Sequence, residues 1–353
     1  SDLASGGRHL EVRARMVVNA TGPWLDIQSA EVRADARPLL RLTKGVHLVT
    51  PRTTRQAHVL FARSDGRLFF VIPWLGYSLI GTTDTDLNGD PADARADADD
   101  VAYLVAEAKR AFPEASFERI HYTWAGVRAL VRREGVKEGD VSRQHALFDH
   151  EAREGVAGLL SIVGGKITAY RSIAEDAVDL IGRKLGRRVE CETHRRRLPG
   201  GHLDSLAAYV ERELSPRANA LGLDPASAGN LGRVYGSLAH GVLDLVEREP
   251  ALGRPLCPHH GTITAQLVWA IEREWAVTLG DALLRRTMLG LEACQALECA
   301  DLVAERMGDL LGWDATQRAA QAAAYREEVA PMRRSSVEAS GHPAESAAAA
   351  GRS

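Results

Sequence analysis

The sequence predicts a mixed α/β or α+β domain followed by an all-helical domain. Up to residue 197, short apolar runs typical of β-strands are separated by Gly and Pro. From residue 204 onward, apolar residues recur at helical spacing instead. A Leu-Pro-Gly-Gly segment at 198–201 lies between the two regions. We therefore predict domains at 1–197 and 198–330. The Ser-, Ala-, Gly- and Arg-rich residues 331–353 are predicted to be a disordered tail.

Several segments of the first region have the pattern of strands. Residues 10–20 pass from alternation into a short apolar run and stop at a Thr-Gly-Pro turn. Runs at 67–73 and 77–80 flank Gly76 and predict a hairpin. Further strands are predicted at 46–50, 58–62, 119–124, 143–149 and 159–163.

Helices are predicted from apolar spacing and from their end signals. Asp99 and Asp100 precede a periodic segment that Pro113 ends, and a later helix runs to a cap near Gly186. In the second region, helices are predicted at 204–214, 229–247, 264–277, 281–293, 295–311 and 315–328.

The bulk composition excludes some classes of partner. Lys and Arg number 44 against 47 Asp and Glu, so the net charge of −3 gives no basic field for nucleic acid. No apolar run reaches the roughly 18 residues of a membrane span. The four cysteines form no CxxC pair, so we predict reduced thiols in a cytoplasmic protein and no metal site.

The turn after the predicted strand 159–163 is the strongest physical signal for a ligand. Gly164 and Gly165 allow close backbone approach, and the following helix offers free N–H groups beside the charge of Lys166. Such a helix end can hold a phosphate or stabilise negative charge on a ring. An ordinary strand-to-helix turn is the other interpretation.

Two arginines and one histidine beside apolar runs are further candidates. Arg128 and Arg143 have the fork geometry that suits a phosphate or carboxylate ligand, but from these residues alone structural salt bridges are the favoured explanation. His47 is either a core residue or a group that accepts a proton near neutrality. The small polar residues 81–84 either make a turn or bind a ligand. No G-x-G-x-x-G fingerprint for a dinucleotide follows any strand.

Taken together, seven motifs resemble FAD-dependent glycerol-3-phosphate dehydrogenases. The likeness extends in order from about residue 10 to 328, with Ala129 where the family usually has proline. The motifs are residues 17–24 (Val-Val-Asn-Ala-Thr-Gly-Pro-Trp), 44–47 (Lys-Gly-Val-His), 71–74 (Val-Ile-Pro-Trp), 80–84 (Ile-Gly-Thr-Thr-Asp), 123–128 (Thr-Trp-Ala-Gly-Val-Arg), 163–171 (Val-Gly-Gly-Lys-Ile-Thr-Ala-Tyr-Arg) and 274–287, which include Leu-Leu-Arg-Arg-Thr.

The resemblance implies a partial glutathione-reductase-like FAD domain with an antiparallel substrate sheet and a helical C-terminal cap. It implies oxidation of sn-glycerol 3-phosphate to dihydroxyacetone phosphate, with hydride transfer to FAD. His47 is then the catalytic base. Arg128, Arg143 and Lys166 are expected to bind substrate, and Arg128 also to act in catalysis. FAD contacts are expected from Thr21, Gly22, Gly164, Gly165, Lys166, Ile167 and Thr168.

The resemblance also implies partners. Relatives of this kind pass electrons to a membrane quinone, so peripheral contact with the inner face of the membrane is expected, and the cap suggests a homodimer. The segment that binds the ADP part of FAD is expected to lie outside these residues. Two alternatives stay open: another FAD-dependent amine or amino-acid oxidoreductase, and a non-catalytic fragment that lacks the ADP-binding unit.

Overall fold

The computed structural model describes residues 11–117, 119–132 and 144–340, with side chains up to Arg333. The described chain forms two compact units. The sheet unit contains residues 11–194 and 332–340, and the helical unit contains Arg195–Pro331. Within the described residues, no helix is both long and apolar enough to cross a bilayer.

An antiparallel sheet built around one long strand dominates the sheet unit. The central strand β2 pairs along its whole length with β7, and on its other edge with β5 and then β6. The strand order is β3-β4-β5-β2-β6, and β7 pairs with β2 outside this path. The strands are β2 (Leu40–Thr50), β3 (His58–Phe61), β4 (Leu68–Trp74), β5 (Tyr77–Gly81), β6 (Thr85–Asp86) and β7 (Tyr122–Val131).

Helix α2 (Ala98–Ala111) covers one face of this sheet. Val101, Leu104 and Ala108 on α2 share a fully buried core with Val46 and Leu48 on β2. Successive residues of a strand point to opposite faces, so the odd-numbered residues of this part of β2 point away from the helix. Helix α2 therefore buries one face of the sheet and does not cover the other.

A smaller sheet carries the first and last strands of the sheet unit. β1 (Val17–Asn19) pairs in parallel with β9 (Leu159–Gly164), which pairs with β8 (His145–Asp149) in antiparallel fashion. A 3-10 turn follows β1 and leads into α1 (Leu25–Val32). The remaining helices of this unit are α3 (His150–Glu154) and α4 (Tyr170–Lys184), with 3-10 turns at Pro91–Asp93 and Ile167–Ala169.

The helical unit is built mainly from helices, as predicted, and contains one additional hairpin, β10 (Pro255–Cys257) and β11 (His260–Ile263). The predicted helix 229–247 is divided, because Gly236 takes a φ of 55° that ends α7. The helices are α5 (Leu206–Tyr209), α6 (Ser215–Ala220), α7 (Pro225–Tyr235), α8 (Ala239–Arg248), α9 (Ala265–Glu274), α10 (Ala300–Leu311) and α11 (Ala315–Ser340), of which residues 332–340 belong to the sheet unit. π-helical segments lie at Val210–Leu214 and Asp281–Arg286, and 3-10 turns at Gly236–Leu238, Pro250–Gly253 and Leu289–Leu291.

The predicted disorder from residue 331 is wrong for residues 331–340, which continue α11 through Pro331 to Ser340. Helix α11 begins in the alanine-rich residues 315–330, whose helix propensity is high, and an established helix extends by adding one backbone hydrogen bond per residue. Residues 341–353 lie outside the described residues.

Removal of the N-cap of α2 should destabilise the sheet unit. Asp97 accepts a hydrogen bond from Asp100 N at 2.9 Å, and its own N–H donates to Asp100 at 3.3 Å. Its carboxylate also lies 2.7 Å from Lys44 Nζ. We expect Asp97→Ala to lower the free energy of unfolding by about 1–2 kcal/mol in chemical denaturation. Asp99→Ala, an exposed neighbour on the same turn, is the matched control; equal effects would contradict this role for Asp97.

Candidate functional site

The face of the sheet opposite α2 carries three glycines together with Thr43, His47, Trp124 and Arg128. Directly opposed residues of antiparallel strands point to the same face. The ladder pairs His47 with Gly81 on β5 and with Trp124 on β7, Gly45 with Gly126, and Thr43 with Arg128. We call the surface formed by Gly45, Gly81, Gly126, His47 and Arg128 the glycine face. Its titratable and charged groups are one histidine and one arginine, which lie over two glycines that have no side chain.

Arg128 lies directly over Gly45. A Cβ atom on Gly45 would overlap the guanidinium, whose Cζ lies 2.7 Å from that position. The guanidinium donates to Asp84 Oδ1 at 3.1 Å, to Thr82 Oγ1 at 3.0 Å and to Thr83 O at 3.2 Å. The side chain is about three-quarters buried. Arg128 therefore takes part in a salt bridge, and the loop that follows β5 holds its charged end over the glycine.

His47 lies over Gly81 in the same way. The ring atoms Cγ and Nε2 lie 2.9 Å from the place where a Cβ of Gly81 would be. The ring is 5.8 Å from Trp124, centroid to centroid. Its Nδ1 atom is buried and has no hydrogen-bond partner among the described residues. Burial, followed by the charge of Arg128, lowers the pKa of His47 to about 4, so the imidazole is neutral at pH 7.

The glycine face thus combines a fixed cation with a neutral imidazole. A guanidinium suits a phosphate or carboxylate, and a neutral imidazole can accept a proton. The hydroxyl of Thr43, buried on this same face, also has no hydrogen-bond partner among the described residues. Unsatisfied buried polar atoms are uncommon in proteins, and a bound polar molecule would account for them. The arrangement is suited to hold an anion and to remove a proton from it.

The turn after β1 contains Thr21 and Gly22. Asn19 organises it, because its Oδ1 accepts from the Thr21 hydroxyl at 2.7 Å while its Nδ2 donates to Leu25 O at 3.1 Å. Gly22 has a φ of 58°, and no atom lies within 4 Å of its Cβ position. A glycine is therefore required here by the backbone conformation, and the space above it is open.

The turn after β9 contains Gly164, Gly165 and Lys166. Both glycines have positive φ, 71° and 94°. A Cβ on Gly164 would lie 2.8 Å from Val131 Cγ2 and 3.5 Å from Ala129 O, so this turn packs against the end of β7 just past Arg128. Lys166, Ile167 and Thr168 are exposed, and Ile167 is 86% exposed. Lys166 forms no ion pair within the described part of the chain.

Comparisons with known proteins place this geometry in a family. Residues 2–171 match the model described as FAD dependent oxidoreductase, and residues 191–318 match the C-terminal domain of alpha-glycerophosphate oxidase. A glycerol-3-phosphate dehydrogenase from Synechocystis is 34% identical over 88% of this chain. An aerobic glycerol-3-phosphate dehydrogenase from Staphylococcus haemolyticus is 32% identical over 90% of it. The chain belongs to the FAD-dependent glycerol-3-phosphate dehydrogenase family.

The structural comparison agrees with this family. The glycerol-3-phosphate dehydrogenase of Bacillus halodurans, solved in complex with FAD, superimposes with a TM-score of 0.75 at 29% identity, over 95% of this chain and 64% of that one. The predicted fold class is thereby confirmed. The chain spans about 58% of the length of the two curated dehydrogenases from Synechocystis and Staphylococcus haemolyticus.

The structure brings only some of the predicted site residues of this family member together. His47 and Arg128 share the glycine face, and Gly164 lies next to the end of β7. Arg143 lies outside the described residues. The sequence alone did not indicate that Gly45 accommodates Arg128 or that Thr82 and Asp84 are its partners. The spacing of Gly45 and His47 on one strand was the available signal, but the register with β7 was needed to interpret it.

Substitution of Gly45 tests whether the glycine floor positions Arg128. We expect Gly45→Ala to displace the guanidinium, break its bonds to the β5 loop and lower the free energy of unfolding by about 1–3 kcal/mol. Gly126→Ala is the control, because it lies on the same face with nothing within 4 Å of its Cβ position. Chemical denaturation gives the comparison; a Gly126 effect as large as that of Gly45 would contradict the account.

The titration of His47 can be followed in the chain itself by NMR. Its C–H signals should report a pKa near 4, because burial and Arg128 disfavour the charged ring. Since the unfolded-state value is about 6.5, the unfolded chain binds the proton first, and stability should fall as pH drops from about 6.5 towards 4. Arg128→Gln should raise the His47 pKa without restoring it fully. His47→Asn identifies the signal; a value near 6.5 would show that the ring is solvated.

Proposed function

We propose that this chain is part of an enzyme that oxidises sn-glycerol 3-phosphate at C2 to dihydroxyacetone phosphate, with FAD as the hydride acceptor. The observation that supports it best is the glycine face, where Arg128 and the neutral His47 lie side by side. The substrate needs a cation for its phosphate and a base for its hydroxyl proton. The names of the relatives from Synechocystis and Staphylococcus haemolyticus support this choice among anionic alcohols.

His47 is proposed as the base that takes the C2 hydroxyl proton. A histidine with a pKa of about 4 is fully neutral at pH 7 and is available to accept a proton. A bound phosphate dianion would raise that pKa by electrostatic attraction, which makes the ring a better base only when substrate is present. Its ring lies where a Cβ of Gly81 would otherwise be, so the absence of that side chain gives the ring its place on the sheet.

Arg128 is proposed to bind the phosphate or to polarise the C2 oxygen. Its present anionic partner is Asp84, at 3.1 Å. An incoming dianion offers the same guanidinium more charge and more acceptor oxygens than one carboxylate does. We therefore propose that substrate replaces Asp84 at Arg128, while Thr82 Oγ1 keeps its hydrogen bond and fixes the guanidinium plane.

The residues proposed to hold FAD have features that fit a flat, charged cofactor. Gly22 leaves open space above the β1 turn, and Ile167 presents an apolar side chain that the described chain leaves 86% exposed. Thr21, Gly164, Gly165, Lys166 and Thr168 complete the set on the two turns. When bound, FAD supplies a two-electron acceptor at the substrate carbon. The N-terminal end of the segment that leads into α4, together with Lys166, favours negative charge nearby.

The proposal also includes roles for Arg143 and Lys166 in binding substrate, onward electron transfer to a quinone, peripheral contact with the inner membrane face, a cytoplasmic location and a homodimer. Their support is the family membership alone.

Anaerobic reoxidation of the substrate-reduced protein by a soluble quinone analogue would test the acceptor. Reoxidation by oxygen but not by the quinone would contradict it.

The proposed reaction is tested by anaerobic flavin bleaching in the FAD-loaded protein. We expect sn-glycerol 3-phosphate, and not glycine or other amino acids, to reduce the flavin. His47→Asn should slow reduction by about 10²–10⁴-fold while FAD stays bound. Arg128→Ala should lower kcat/KM by about 10²-fold.

Arg41→Ala is the matched control for Arg128→Ala. Arg41 lies on β2 of the same sheet and, like Arg128, pairs with an aspartate: Asp86, at 2.7 Å. We expect it to leave kcat/KM nearly unchanged. Equal losses in the two arginine variants, or flavin reduction by amino acids, would reject the proposal.

A further inference from the structure

An aromatic cluster borders the glycine face at the end away from Arg128. Trp124 lies directly across the ladder from His47, and its ring centroid is 5.8 Å from that of the imidazole. Trp74 meets Trp124 edge-on at 5.2 Å, and Tyr122 lies 6.0 Å from it. We call Trp74, Tyr122 and Trp124 the aromatic wall. The chemistry proposed for His47 and Arg128 uses none of these three rings.

The strand register places all three rings on this face of the sheet. On β7, Trp124 and Tyr122 precede Gly126 by two and four residues, and alternate residues of a strand point to the same side. On β4, Trp74 lies four residues after the partner of Gly81. Regular strands, and not loops, therefore hold the rings of the wall in place.

The three rings support one another. Tyr122 is 1% exposed, whereas Trp74 and Trp124 are partly exposed. Leu75 and Gly76, with φ values of 48° and 88°, close the β4–β5 hairpin directly after Trp74 and fix its register. Ring contacts of this kind stabilise a cluster beyond the area that they bury. A ligand on this face can therefore touch Trp124 while the two neighbouring rings restrict its rotation.

Two rows of side chains on this face define where a substrate can lie. In the first row the guanidinium of Arg128 lies over Gly45, directly across from Gly126, which has no atom within 4 Å of its Cβ position. In the second row His47 lies directly across from Trp124. Rows of side chains on one face are about 7 Å apart along a strand. The face therefore offers a cation and open space in one row, and a base beside an indole in the next.

A substrate that uses both groups extends from the first row to the second. With its phosphate at Arg128 and its C2 hydroxyl at His47, sn-glycerol 3-phosphate has one carbon left, C1, which extends further in the same direction. That carbon then meets the aromatic wall. An additional carbon at this end would have to occupy the volume of Trp124, and closely packed side chains resist such an insertion.

We propose that the aromatic wall limits the substrate to three carbons, with Trp124 as the residue that determines this specificity. The wall excludes phosphorylated polyols that carry a further carbon at the end away from the phosphate. This inference rests on the proposed function, whose substrate class it makes narrower. Its physical basis is the volume that the rings fill beside His47.

The test compares two substrates in the FAD-loaded protein by anaerobic flavin reduction. Erythritol 4-phosphate has one CHOH group more than sn-glycerol 3-phosphate at the end away from the phosphate. Trp124→Leu should raise the ratio of the four-carbon to the three-carbon kcat/KM by about tenfold, the effect of one carbon in a pocket. Trp124→Phe keeps a ring and should raise this ratio less. Trp275→Leu is the control and should leave the ratio unchanged, because Trp275 is 83% exposed in the helical unit.

Equilibrium binding gives a readout that does not depend on turnover. Dihydroxyacetone phosphate and erythrulose 1-phosphate, the two ketone products, should differ in Kd for the wild-type protein. In Trp124→Leu the ratio of the two Kd values should shrink by about tenfold in isothermal titration calorimetry. If Trp124→Leu does not fold, Trp74→Leu leaves the first indole in place, removes its neighbour and should change both ratios in the same direction.

The outcomes separate this inference from the proposed function. Unchanged ratios in the folded variant overturn the limit on length, and the proposed function stands. The limit is also overturned if the variant loses FAD while the ratios stay the same, which would show that the indole contacts the cofactor. Failure of sn-glycerol 3-phosphate to reduce the wild-type flavin rejects the proposed function, and the limit with it.

Discussion

Two glycines accommodate the charged and titratable groups of the proposed site. Arg128 and His47 extend along the sheet instead of away from it, and each lies where the Cβ of Gly45 or Gly81 would otherwise be. The opposite face of the same strands is filled by the core under α2. The alternation of a β-strand thus separates a packed face from a face with room for a ligand. The positions of Arg128 and His47, and the burial that determines their charge states, follow from this separation of the two faces.

Burial gives the two groups their chemistry. Arg128 is mostly buried, so it needs anionic or carbonyl partners, and the loop after β5 provides them through Asp84, Thr82 and Thr83. His47 is partly buried beside that positive charge, and desolvation together with Arg128 lowers its pKa to about 4, so the ring stays neutral near pH 7. The same desolvation that makes an ion pair necessary at Arg128 therefore makes a proton acceptor available at His47. An anionic substrate that replaces Asp84 would change both groups together.

Much of the sheet unit could be predicted from the sequence, because its strands are short apolar runs between turn signals. The helix α2 was evident from its acidic start and from the proline after it. The register of β2 with β7 could not be predicted, since it depends on contacts between residues about 80 positions apart. The role of Gly45 becomes visible only through that register. The family motifs identified His47 and Arg128 as candidates but did not indicate which residues surround them in the fold.

In the helical unit, periodicity predicted helices and missed what interrupts them. Gly236 divides one predicted helix by its positive φ, and Gln295 and Ala296 occupy a left-handed turn where helix was predicted. The hairpin that carries Cys257 is too short to show alternation. Tertiary packing determines all three features.

The central claim is that substrate binds on the glycine face with Arg128 and His47 as its direct partners. A crystal structure of the FAD-loaded protein with dihydroxyacetone phosphate tests it most directly. The account predicts that ligand oxygens lie within hydrogen-bond distance of the Arg128 guanidinium and of a His47 ring nitrogen, above Gly45 and Gly126, and that Asp84 has moved away from Arg128. A ligand bound elsewhere, with the Arg128–Asp84 pair intact, would contradict it.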